Sequence, residues 1–259
     1  MRIRFTHFSL VCVFVGMCVP LLAQNQGIDP TLRAKATAGD AQAQYLVGQE
    51  YALGAKVPQD FTTAATWYQK AADQGVAAAQ LNLGVLYDHG DGVPQDYAQA
   101  AGWYRKAALQ GVAEALYNLG TLYERGIGVP QDYSQAADLY RRAAEKGNAS
   151  AQFNLGLLYD NGTGVQQDYA KAVEWYTKAA EEGMPRAQFN LGSMYAGGQG
   201  VPVNFTEAYY WLALAADIWS GARQQDAVNA RDMVAARLSP SDLSSAQERA
   251  KKWLAGRQK

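Results

Sequence analysis

Cysteine is almost missing from this chain. The two cysteines among its 259 residues, Cys12 and Cys18, both fall within the first 23 positions. Beyond them the sequence can form no disulfide and offers no thiolate to a metal. Histidine is as scarce, with only His7 and His89. A single histidine after the N-terminal stretch excludes His-pair and Cys–His metal sites. No serine is followed at the third position by lysine, and there is no G-x-S-x-G, glycine-rich phosphate loop or H-E-x-x-H. The signatures of acyl transfer, phosphate cradling and zinc hydrolysis are therefore lacking. An excess of one charge is lacking too. The 23 basic and 24 acidic residues give −1, which is no nucleic-acid footprint. The expectation is a chain that is not an enzyme and has no catalytic residue, cofactor or metal.

Long hydrophobic runs are also few. Arg2 and Arg4 precede an apolar stretch from Phe8 to Leu22, and Ala23 then gives way to Gln24-Asn25-Gln26. A basic start, an apolar stretch too short to span comfortably and a small residue before polar text predict a secretory signal over residues 1–23. That segment holds two arginines and no acid, so its removal leaves 21 basic against 24 acidic residues, or −3. The expected product is exported, periplasmic or secreted, and keeps no stable membrane span after cleavage.

Repetition is what the chain has in abundance. Gly48, Gly84, Gly120, Gly156 and Gly192 stand 36 residues apart, as do Asp60, Asp96, Asp132, Asp168 and Asn204. Trp67, Trp103, Leu139, Trp175 and Trp211 keep the same register. Fixed self-similarity at such a period marks a solenoid, whose units cannot bury their apolar faces alone. Each unit divides into two helical halves, for example about 77–89 and 97–110. Gly54, Gly90, Gly126, Gly162 and Gly198 sit where a left-handed residue ends the first half. The segment G-x-G-V-P-Q-D comes next. Its proline forbids continuation and its aspartate caps the next helix. Gln99, Gln135 and Glu207 are placed to complete capping boxes with Asp96, Asp132 and Asn204.

On the first helix, Ala79, Leu83, Leu86 and Tyr87 fall on one buried stripe. In the second, Ala100, Trp103, Ala107 and Ala108 set one large ring among small partners. Residues 24–39, with Asp29-Pro30 as cap and first turn, read as half a repeat that covers the first full one. After Trp219 the period stops. A helix over 223–238 and another from Ser239-Pro240 to about Ala255 read as C-terminal capping helices within 220–259.

The string A-x-A-x-x-x-L-G-x-x-Y…G-x-G-V-P-Q-D…A-x-x-W-Y-x-K-A-A-x-x-G resembles the Sel1-like repeat, a relative of the tetratricopeptide repeat. Five copies lie within residues 40–219. Lys56 departs from the second loop glycine, Gln166 from the proline of repeat four, and Trp219 from the closing glycine of repeat five. The resemblance implies an all-α, right-handed α/α superhelical solenoid that binds proteins or peptides, often on its concave side. Some Sel1-like proteins carry a β-lactamase label, but the serine-lysine pair that chemistry needs is absent here.

Two rows on the first helices are the candidate binding residues. Tyr45, Leu81, Tyr117, Phe153 and Phe189 lie about 180° from the buried stripe, with Asp88, Glu124 and Asp160 on the same side. Apolar groups in register there either line a groove or pack against adjacent first helices. Asn82, Asn118, Asn154 and Asn190 form the second row. Their amides either clamp an extended peptide backbone or bond a neighbouring helix. The expected function is an exported scaffold or adaptor for a protein or peptide carrying apolar residues and some Lys or Arg. The alternative is a cell-envelope enzyme, or a regulator of a cell-wall enzyme, which would need convergent ionisable groups.

Overall fold

The computed structural model describes residues 27–257, so the segment read as a signal lies outside the described residues. Thirteen α-helices and no strand occur among the described residues. They fall into two compact units that meet in sequence between Ala115 and Leu116.

The first unit holds α1 (Pro30–Thr37), α2 (Ala41–Leu53), α3 (Phe61–Asp73), α4 (Ala77–His89), α5 (Tyr97–Leu109) and the start of α6 (Ala113–Arg125). From α1 to α5, each helix packs on the next. The second unit holds the rest of α6, α7 (Tyr133–Ala144), α8 (Ala149–Asn161), α9 (Tyr169–Glu181), α10 (Pro185–Gly197), α11 (Phe205–Ile218), α12 (Gly221–Ala235) and α13 (Pro240–Arg257). From α7 to α12 the packing is again serial, and α13 folds back onto α11.

Local chemistry sets the helix boundaries. Asp60, Asp96, Asp132 and Asp168 accept the N–H three residues on at 2.9–3.0 Å. The caps hold the Asp132 and Asp168 carboxyls below their usual range, and at Asp60 the Thr63 hydroxyl does so first and the cap second. The reciprocal arm of a capping box is not made. The cap's own N–H instead donates to the carbonyl of Tyr87, Tyr123 or Tyr195 on the preceding helix, at 2.9 Å. Gln99, Gln135 and Glu207 therefore have no donor to close on. Gln135 reaches the Asp132 carboxylate instead, and Glu207 pairs with Arg249.

The glutamine of V-P-Q-D closes the other end. Gln59, Gln95, Gln131 and Gln167 donate to last-turn carbonyls of α2, α4, α6 and α8 at 2.7–2.9 Å. That satisfies an acceptor which the helix end leaves orphaned.

In the first four repeats the most deeply buried ring is the tyrosine that follows the tryptophan position. Tyr68, Tyr104, Tyr140 and Tyr176 are at most 1% exposed. Each ring lies on the mid-helix glycine of its own repeat. A Cβ built on Gly48, Gly84, Gly120 or Gly156 would stand 2.6–2.8 Å from it. Trp103, Trp175 and Trp211 are buried too and Trp67 is half-buried, with Lys70, Lys106 and Lys178 over the faces of Trp67, Trp103 and Trp175 at 3.7–4.5 Å.

The stripe of Ala79, Leu83 and Leu86 is buried as expected. Leu81 and Phe153, placed by angle on the opposite side, are buried too, at 8% and 4% exposure. The reason is that α4 packs on both α3 and α5, and α8 on both α7 and α9. A helix held between two neighbours buries more than one stripe.

The period also outlasts Trp219. Gln44, Gln80, Gln152 and Gln188 each donate from a first helix to the carbonyl eight residues earlier, on the preceding second helix, at 3.1–3.2 Å. Gln224 makes the same bond to Ala216 at 3.1 Å. Thus α12 holds the place of a sixth first helix. Its signal in the sequence is the glutamine 36 residues after Gln188; the row has leucine only at Leu116.

Candidate binding surface on the first helices

The expected acidic residues have structural partners. The Tyr104 hydroxyl donates to Asp88 at 3.0 Å, Tyr140 to Glu124 at 2.5 Å and Tyr176 to Asp160 at 3.1 Å. Burial pushes the Tyr140 and Tyr176 phenols well above their ordinary range, and the adjacent carboxylates add to the rise. The Asn154 and Asn190 amides beside the Tyr140 and Tyr176 hydroxyls act in the opposite sense. So Asn154 on α8 and Asn190 on α10 each face the tyrosine of the repeat before. Asn82 and Asn118 are half-buried in the corresponding positions.

The apolar row follows the same tyrosines. Tyr45 lies 5.9 Å from Tyr68, Tyr117 5.7 Å from Tyr140 and Phe153 5.8 Å from Tyr176, between ring centroids. Phe189 differs. Its repeat has Leu212 in place of the tyrosine, and its ring contacts Trp219 at 5.5 Å.

Three of the candidate residues meet in one cavity. Phe153, Phe189 and Asn190 line a hollow of about 280 Å³ with Leu157, Arg186, Trp219, Arg223 and Asp226. The Arg186 guanidinium lies 4.7 Å over the Phe153 ring. Tyr45, Leu81, Asn82 and Asp88 belong to the first unit, and Tyr117, Asn118, Glu124, Asn154 and Asp160 lie elsewhere in the second. Sequence reasoning missed Arg186, Trp219 and Arg223 as neighbours of the row. The available signal was the failure of Trp219 and Arg223 to match Gly183 and Ala187, 36 residues earlier.

Among the described residues, no group of three or more His, Cys, Asp or Glu is placed to hold a metal ion. His89 Nδ1 stands 3.7 Å from Asp91 at an exposed helix end. No described helix is long and apolar enough to cross a membrane.

The Sel1 repeat model matches residues 41–76, 77–112, 113–148, 149–184 and 185–217. No curated protein matches the chain. Among solved structures it is similar to a Sel1 repeat protein from Oxalobacter formigenes, at 36% identity and a TM-score of 0.73, over 86% of this chain and 91% of that one. It is also similar to a protective antigen present in uropathogenic Escherichia coli strains that displays an SLR fold. There the identity is 34% and the TM-score 0.76, over 85% of this chain, which spans only 48% of that protein. Repeat model, fold and identity agree, and the chain belongs to the Sel1 repeat family.

Proposed function

We propose that this chain is an exported, non-catalytic scaffold that binds a protein or peptide partner through the first-helix side of its repeats. Sel1 repeats generally serve as protein-interaction scaffolds. The observation that carries the reading here is the hollow beside Phe189. A half-buried aromatic wall and the Asn190 amide border it, so it can take an apolar side chain and hold a backbone group beside it. Along the row, Tyr45, Tyr117 and Phe153 lean on the rings of the chain's own tyrosines.

The test uses residues 24–259 as bait in envelope extract, with the captured partner then titrated as purified protein. Phe189→Ala with Asn190→Ala should weaken that complex at least about tenfold and leave the helical signal in place. Lys106→Ala with Lys178→Ala, on the second helices, should leave it unchanged. The reverse pattern would move the site to the second helices and end this reading.

A further inference from the structure

We propose that the hollow walled by Phe153, Phe189 and Trp219 is an arginine-flanked pocket for an apolar side chain. Its occupant is an extended protein segment that presents a bulky apolar side chain next to an Asp or Glu. This rests on the scaffold reading and gives it a location and a partner chemistry.

The first support is the repeat register. The position of Trp219 is filled by glycine at Gly75, Gly111, Gly147 and Gly183, and that of Arg223 by buried alanine at Ala79, Ala115, Ala151 and Ala187. Both departures line the same hollow. The next member of the aromatic row, 36 residues after Phe189, is Gln225, so the row ends and leaves the Phe189 side of the hollow without a successor ring. Positions that break a local rule are where function is expected. Trp219 packs on Phe189 and against Ala215, Ala216 and Ala227, whereas Arg223 puts an exposed charge where the earlier repeats bury alanine.

The second support is charge. Arg186 and Arg223 are exposed at the rim, against one carboxylate, Asp226. Arg186 stands where earlier repeats have Gln42, Ala78, Glu114 and Ser150, so the positive charge is particular to this end. Guanidinium groups beside an apolar hollow favour a planar carboxylate that binds two N–H donors at once. The acids expected to attract a basic segment, Glu124 and Asp160, accept tyrosine hydroxyls instead. A hollow of about 280 Å³ is at the small end for ligand sites and suits one or two side chains.

The probes are three fluorescein-labelled decapeptides: one with phenylalanine flanked by glutamates, one with lysines in place of the glutamates, and one with alanine in place of the phenylalanine. They are titrated by anisotropy against the chain from residue 24. The glutamate–phenylalanine peptide should bind at least about tenfold tighter than either other peptide, and weaken as salt rises. Arg186→Ala with Arg223→Ala should remove that preference and its salt dependence. Both side chains are exposed, so the melting temperature should hold. Trp219→Ala should weaken the two phenylalanine peptides alike. Equal or tighter binding of the lysine peptide overturns the proposal, as does unchanged binding in the double arginine variant or a dissociation constant above about 1 mM for every peptide. Where the partner captured from extract still binds the double arginine variant at full strength, the scaffold reading stands and this pocket assignment falls.

Discussion

A Cβ added at Gly156 would lie 2.6 Å from Cδ1 of Tyr176, well inside the roughly 3.5–4.0 Å at which carbon atoms attract. Gly156→Leu should therefore cost on the order of 1–3 kcal/mol by overpacking, read as a lower urea midpoint. Gly102, in the middle of α5, has nothing within 4 Å of its would-be Cβ. Gly102→Ala should instead stabilise by about 0.5–1 kcal/mol, because alanine is the better helix former. A loss at Gly102, or no loss at Gly156, would refute the packing account.

Tyr140 supports a second prediction at this scale. Its phenol is raised in the folded chain, while an unfolded tyrosine ionises near about pH 10. The folded state thus disfavours the phenolate. Its contribution is full below about pH 10 and is lost progressively above it, as the unfolded chain gives up the proton first. Denaturation midpoints should fall less steeply above about pH 10 in Tyr140→Phe than in the parent. Tyr176 keeps part of the slope. Identical slopes would mean that Tyr140 ionises alike in both states.

Among the elements, α12 and α13 cover the end of the repeats. Tyr209 and Leu212 pack with Val234 and Ala246, and Ala215 and Ala216 with Ala227. Removing residues 222–259 strips these partners from α11 and should give concentration-dependent light scattering and a lower melting temperature. A soluble truncated chain with an unchanged melting temperature would refute the covering role. The helices themselves were legible in the sequence, because caps and left-handed glycines act within a few residues. The roles of Tyr104 and Gln80 were not. A helical wheel marks one face, whereas α4 is held by α3 and α5 at once. Which polar side chain crosses to a neighbour then depends on depth and reach. The candidate site was half legible for the same reason. The apolar row was visible, but only packing reveals that Tyr117 and Phe153 lean on the chain's own tyrosines while Phe189 borders a hollow.

For the whole molecule, export is the property that the N-terminal residues predict. Sequencing the N-terminus of protein from the periplasmic or secreted fraction should give a start near Gln24. A cytoplasmic product beginning at Met1 would contradict it. The glutamine bonds carry a different consequence, for how such a chain changes length. Within each unit a repeat is fastened to the one before it by an amide reaching back eight residues, as from Gln152 to Ala144 or Gln188 to Ala180. Donor and acceptor straddle a single turn, so a tandem duplication of 36 residues that breaks at that turn copies a complete fastening. The new copy arrives with a donor for the old end and an acceptor for the repeat after it. Gene-level slippage can thus lengthen or shorten the array in whole steps, without any second mutation to repair the seam.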